Sequence, residues 1–543
     1  MEVTATYAAN PTTVRARSTR LCARGHRVVY PQGRTVVIRD LSVPGATLVY
    51  AEHAYPVTVA RISPSGYYMA SADASGRVRV WDLAGDEQML KLEVQALGGR
   101  ISDLAWDGES RRIAVGGEGR ERFAHAFLAD TGSAVGELGG HSKPVNAVAL
   151  RPQRPFRAVT GGDDAHVTFS TGVPFKYART LAEHTGFVHD VAYAPDGATF
   201  VTAGADGRVL VYAGTTGDVD GELCDGDAPA HTGSVFAVAF APNGQRLVSA
   251  GADGAVKLWN VAQRALIGTW RADAGERVAG QQVGVAWGEQ IVSLSLGGVL
   301  TVFSPTDLVR TDALVAPTLG ITGLVALGPA LYASSVDGYV YEYRGDGRVV
   351  RMNTPGGALR SVVALGVAGG RVLCAALDDT VRAVEDGHLG VPTSTTGQPR
   401  ALAAHERATV VVTEQGVDVV IDGVRSHHTL AALGYGGAAS ATAAAVHPAG
   451  ALVALGGDDA RVRLYELPAM QLTGVLENGR SATTALAFSP DGTLLAAGES
   501  SGKIPVYDVA SGALRLNQWV FHTARVQAIA WAPDGRHAAS ASL

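Results

Sequence analysis

A histidine, a hydroxyl side chain, an aspartate and an aromatic recur at fixed offsets in this 543-residue sequence. His184 is followed by Thr202, Asp206 and Tyr212, at +18, +22 and +28. His231 is followed by Ser249, Asp253 and Trp259 at the same three offsets. Imidazole, hydroxyl and carboxylate are the parts of a nucleophilic triad, in which the imidazole takes the hydroxyl proton and the carboxylate orients the imidazole. A catalytic site is singular, whereas this set is repeated. Repetition points instead to a hydrogen-bond network, one per repeat, that joins neighbouring strands. Substitution of Asp253 is then expected to destabilise its repeat rather than remove an activity.

Other residues that could do chemistry are weaker. Gly434–Ala439 loosely fits a phosphate-binding glycine loop, but no strand and helix flank it. His427-His428 lacks a third metal ligand nearby and reads as a solvated loop pair. The acid pairs Asp163-Asp164, Asp378-Asp379 and Asp458-Asp459 fall in hairpin turns, where Asp is locally favoured. No nucleophile with a base, no metal set and no phosphate cradle stands out, so an enzyme is not expected, nor a cofactor. Two repeats depart from the pattern. The third carries Gly116-Gly117-Glu118-Gly119-Arg120-Glu121-Arg122-Phe123 where others have a short turn. The fourth has Ser170 at its aromatic position, followed by a connector with Phe175 and Tyr177. Phe187 lies in the entry loop of the next repeat. Aromatics and charges clustered on loops read as a protein-binding patch.

The elements that position these residues are short strands. In the repeat from His231, Val235–Phe240 alternates, Pro242-Asn243-Gly244 turns, Arg246–Ser249 returns, Ala252-Asp253-Gly254 turns again and Val256–Trp259 is a third strand. Glycine, 67 residues, serves these turns. The pattern resembles the WD repeat, a four-stranded propeller blade of about 40–45 residues. At that period the chain holds about thirteen blades, too many for one ring. The expectation is all-β, with two tandem seven-bladed propellers: residues 1–308, and a more degenerate second one, 309–543. In the second, Asp337 with Tyr343 and Asp459 with Tyr465 keep the turn-to-aromatic spacing. His522 and Ser540 begin a tetrad whose aspartate falls at position 544, so the sequence reads as ending inside the sixth blade of the second ring. A strand around Val3–Tyr7 is a candidate for closing one ring. Net charge is −6, which offers no basic surface for nucleic acid. The three cysteines are far apart and form neither a disulfide framework nor a zinc signature, and no apolar run is long enough to span a membrane; a cytoplasmic protein is expected.

The departures carry a closer resemblance. Residues 99–164, with the GEGRERF run, are similar to actin-interacting protein 1, a WD-repeat family. So are SPSGYYMASADASGRVRVWD (63–82), VPFKY (173–177), HTGFVHDVAYAPDG (184–197) and WVFHTARVQAIAWAPDG (519–535). The resemblance implies two seven-bladed propellers and a non-enzymatic, monomeric protein of the actin cytoskeleton. It implies binding to actin filaments decorated with ADF/cofilin, promotion of their disassembly and capping of barbed ends. It places the family's binding patch on Glu121, Asp163, Tyr177 and Phe187, with Asp164 in the structural turn position. A generic WD-repeat scaffold for a multiprotein complex remains the alternative.

Overall fold

A computed structural model of the chain describes residues 6–542, apart from 44, 86, 274–277, 353, 355–357, 386, 438 and 478. The described residues hold antiparallel strands and no α-helix. They form two compact units, residues 1–318 and 319–543. The division falls ten residues after the expected 308/309 junction. The reason is that Arg310–Leu314 pairs with Leu300–Phe303 as the outer strand of the seventh sheet.

Among the described residues of the first unit seven sheets follow one another along the chain, each built by hairpins so that sequential strands are spatial neighbours. Sheet 2 runs Val57–Ile62, Tyr68–Asp73, Arg77–Asp82, Leu90–Gln95 from the innermost strand outward. Sheets 4, 5 and 6 begin with innermost strands Val145–Leu150, Val188–Tyr193 and Val235–Phe240. Sheet 3 has three strands, Ile101–Trp106, Arg112–Gly117 and Ala124–Leu128. Its outer segment is reduced to single bridges, Phe127 to Ala134 and Gly136 to Phe175 of sheet 4. The inner strands are apolar on both faces because each is covered by its own sheet and the next. Phe200, Val201, Tyr212, Leu247, Leu258 and Trp259 are fully buried.

The seventh sheet meets the first. The Thr19 amide donates to the Val283 carbonyl and the Glu289 amide to the Gly25 carbonyl. Asn10 Nδ2 donates to the Gly298 and Leu314 carbonyls, at 2.8 and 2.7 Å. Ring closure in this unit therefore runs through residues 10–25. Of the candidate strand Val3–Tyr7, residues 3–5 lie outside the described residues, and Tyr7 is not in a strand. Along the axis, charged residues link the sheets. Buried Arg20 donates to Asp190 Oδ1 at 2.5 Å and to the carbonyls of Asn146 and His189. Arg61 donates to Asp103 and to the Leu21 carbonyl. The carboxylates of Asp103 and Asp190 also accept the Val148 and Val238 amides of the following sheets. Paired and hydrogen-bonded, these charges are tolerated away from water.

The second unit holds six sheets among its described residues, with innermost strands Ile321–Leu327, Val362–Ala368, Pro399–His405, Ala441–Val446, Thr483–Phe488 and Val526–Trp531. The last of these pairs only with Ala538–Ser542.

One irregularity recurs in both units. The pairing of each innermost strand with the next one slips by one residue near its start, from sheet 2 through sheet 13. The extra residue is Thr58, Ser102, Asn146 and His189 in sheets 2 to 5. A bulge leaves that residue out of the ladder and re-aims its side chain. The four side chains line one mouth of the ring axis.

Candidate functional site

The recurring tetrads are hydrogen-bonded as sets. Trp259 Nε1 donates to Ser249 Oγ at 2.8 Å. Ser249 Oγ lies 2.7 Å from His231 Nε2, and His231 Nδ1 lies 2.9 Å from Asp253 Oδ1. With the Ser249 oxygen accepting from the indole, its own proton goes to Nε2, and the imidazole proton sits on Nδ1 facing the carboxylate. Asp253 also accepts the Ala255 and Thr232 amides. Burial works to raise the Asp253 carboxyl, but His231 and these amides outweigh it and hold it at about 2. The His184 set matches: Nδ1 to Asp206 at 2.9 Å and Nε2 to Thr202 at 2.7 Å. Tyr212 stacks on Phe200, with centroids 4.8 Å apart. Ser249 and Thr202 are fully buried, so no substrate reaches either hydroxyl.

Two sets escape the fixed offsets. In sheet 2, His53 bonds Asp73 and Ser71 at 3.0 and 2.8 Å, and Trp81 donates to Ser71. Ser71 and Trp81 keep +18 and +28 from His53, but the acid stands at +20. Those two offsets were the signal that could have revealed it. In sheet 4, Asp164 takes His141 and the Ser142 amide. The hydroxyl of Thr168, directly opposite Thr160 and 2.5 Å from its hydroxyl, makes the contact that the indole of Trp259 makes with Ser249.

The four patch residues divide. Asp163 and Phe187 line one cavity of about 190 Å³ at the axial mouth, together with Arg17, Arg100, Glu118, Asn146 and His189. Phe187 is 49% exposed. The carbonyl of Phe187 accepts the Ala205 amide, and Asp163 Oδ1 accepts from Asn146 Nδ2 at 2.7 Å. Glu121 and Tyr177 are outside the residues lining that cavity. Glu121 is exposed on the loop 118–123, which is pinned by the Glu118 amide on the Arg100 carbonyl and the Gly117 amide on the Phe123 carbonyl. Gly119 is required there, because a Cβ would lie 2.0 Å from the Arg122 carbonyl oxygen. Tyr177 is half-exposed and its hydroxyl meets Thr180 at 3.0 Å.

Two expectations for this region are corrected. Tyr177 is on the outer strand Lys176–Leu181, not in a connector. Phe175 is buried, its amide bonded to the Val135 carbonyl and its ring packed among Val135, Leu138 and Val145, so it fills core rather than facing a partner. His427 and His428 also lie on a strand, Val424–Thr429, with His427 Nδ1 2.9 Å from Asp418. No cluster of three or more metal-ligating side chains occurs among the described residues.

The shifted histidines and Arg100 of the first unit follow from burial. His189 is lowered to about 4, by burial first and by Arg20 second. His125 is also lowered to about 4, by burial and then by Arg122. Arg100 is lowered by burial and by the charge of Arg17.

Comparisons with known proteins agree with this architecture. The family model "WD domain, G-beta repeat" matches residues 46–82, 132–169, 175–212 and 224–260. The "Anaphase-promoting complex subunit 4 WD40 domain" model matches residues 444–534. Among curated proteins, WD repeat-containing protein 1 of Gallus gallus is 35% identical, covering 96% of this chain and 86% of that protein. Actin-interacting protein 1 of Drosophila melanogaster is 34% identical, over 99% of this chain and 89% of that protein. WD repeat-containing protein 1 of Xenopus tropicalis is 34% identical over 96% of this chain. With repeated sheets, repeated tetrads and similarity along nearly the whole length, the chain belongs to the family of WD repeat-containing protein 1 and actin-interacting protein 1.

Proposed function

We propose that this protein is a non-enzymatic actin-binding protein that works with ADF/cofilin to disassemble filaments and cap their barbed ends. The observation that carries this reading is similarity over 99% of the chain to a relative named actin-interacting protein 1. Support comes from the axial mouth, where an exposed phenyl ring and a carboxylate line the same cavity on loops held by backbone hydrogen bonds. Phe187 acts as an apolar anchor for the partner surface. Asp163 and Glu121 orient the partner by charge, and Tyr177 adds an aromatic contact.

Co-sedimentation with actin filaments, with and without cofilin, tests this reading. Binding is expected only when cofilin decorates the filament. Binding indifferent to cofilin favours a general scaffold. Phe187→Ala is expected to lower affinity roughly thirtyfold, the effect of losing an anchor of about 2 kcal/mol, with an unchanged melting temperature.

A further inference from the structure

Four of the bulged residues share a task. In the second unit, Thr322 Oγ1 donates to the Val362 carbonyl at 2.6 Å, Thr442 to the Thr483 carbonyl at 2.5 Å and Thr484 to the Val526 carbonyl at 2.6 Å. Each accepting carbonyl belongs to the first residue of the next sheet's innermost strand. One hydroxyl hydrogen thus links sheet to sheet. Asn146 occupies this position in sheet 4, and its Nδ2 donates to the equivalent carbonyl, that of Val188, at 3.1 Å. A carboxamide carries two N–H groups where a hydroxyl has one O–H. The second hydrogen goes to Asp163 Oδ1 at 2.7 Å.

We propose that Asn146 is a positioning residue for the partner-binding mouth, locking the Asp163 carboxylate to the backbone that carries Phe187. The acceptor Val188 directly follows Phe187 in the chain. A single amide nitrogen therefore sets the spacing between the carboxylate of one loop and the ring of the next. Arg20 fixes the clamp from behind, donating to the Asn146 and His189 carbonyls at 2.7 and 2.8 Å. Asp163 is further restrained by its amide on the Pro144 carbonyl. Among the described residues, no hydrogen bond engages Asp163 Oδ2, which leaves one carboxylate oxygen for a partner while the other is held. The inference rests on the reading that Asp163 and Phe187 face a protein partner.

Asn146→Thr separates the two tasks. Threonine keeps the sheet-to-sheet bond, as it does in the second unit, but has no hydrogen left for Asp163. The variant is expected to melt with the wild type and to bind cofilin-decorated actin filaments roughly tenfold more weakly, the loss expected for a charge-assisted hydrogen bond. On an Asp163→Ala background the same change is expected to have no further effect, because Asn146 acts through that carboxylate. Asn146→Asp, which cannot donate to either acceptor, is expected to lower both binding and melting temperature. If Asn146→Thr binds like the wild type while Phe187→Ala fails, the clamp is refuted and the functional reading stands. A loss that persists undiminished on the Asp163→Ala background also refutes it. If Phe187→Ala binds normally, both fall.

Discussion

The two units satisfy the turn carboxylate with different chemistry: it is buried in the first, while Asp378 and Asp459 of the second are about a quarter exposed. In the first, Asp73, Asp164, Asp206 and Asp253 each face a histidine that passes the bond on to a hydroxyl. In the second, Asp459 faces Arg463 at 2.6 Å, Asp378 faces Arg382 at 3.3 Å and Asp337 accepts from Tyr341 at 2.8 Å. Arg463 also lies over the Tyr435 ring, 4.1 Å from its centroid. The histidine arrives from the loop before the blade, so it joins the turn to the entry segment and to the middle of the second strand. The arginine comes from four residues along the same hairpin, and Arg463 also reaches the entry segment through the Gly434 carbonyl and the Tyr435 ring. The fold requires that a desolvated carboxylate be paired, not that the pair be histidine. What the first unit gains is a bridge from the turn through the histidine to a hydroxyl of the second strand.

The comparison can be broken or sharpened by substitution. The largest effect is expected for Arg20→Met. Removing that cation leaves Asp190 and Asp103 buried with less compensation, and burial already pushes the Asp190 carboxyl up. A loss of about 3–5 kcal/mol in denaturant unfolding is expected, confined to the first unit's transition. Asp253→Ala comes next, at about 1–3 kcal/mol, because His231 Nδ1 and two amides lose their acceptor. Arg463→Lys in the second unit is expected to cost less, about 1 kcal/mol, since lysine keeps the charge but not the planar fork over Tyr435. If it costs as much as Asp253→Ala, the local pair is no weaker than the tetrad. Tyr177→Phe, which removes one exposed hydrogen bond to Thr180, is expected to shift stability by under about 0.5 kcal/mol.

Acid acts in two windows, and the upper one distinguishes the units. His125 and His189 have folded values of about 4, below the ordinary 6.5. The unfolded chain therefore binds more protons between those values, and stability falls as pH drops from about 6.5 toward 4. Asp253, at about 2 against an ordinary 3.8, adds stability above 3.8 that is lost as pH falls through 2. Thermal melts from pH 7 to pH 4 are expected to weaken the first unit before the second. His189→Gln is expected to flatten part of that slope. Equal sensitivity of the two units would show that the buried imidazoles do not govern it.

Legibility differed by kind of contact. The tetrads of His184 and His231 were readable because a hairpin fixes the number of residues between bonded groups. The His53 set was hidden because its acid had moved two residues while its partners stayed. The Asp337-to-Tyr343 spacing was readable, but it does not show that the Asp337 carboxylate is reached by the Tyr341 hydroxyl, two residues earlier on the same face of the strand. Phe175 read as surface because it follows Gly172 and Pro174 in an apparent connector, yet the preceding sheet's outer segment covers it.

Repeat length, turn position and the tetrads of His184 and His231 were determined by the sequence alone. Each depends on local spacing and on side-chain alternation within one hairpin. Only the tertiary structure decided that residues 10–25 close the first ring, that Arg20 ties several sheets together at the axis, and that Asp163 and Phe187 share a mouth while Glu121 and Tyr177 stand outside it. Those arrangements depend on how successive sheets turn about a common axis. Residues distant along the chain meet there, and no local pattern records the meeting.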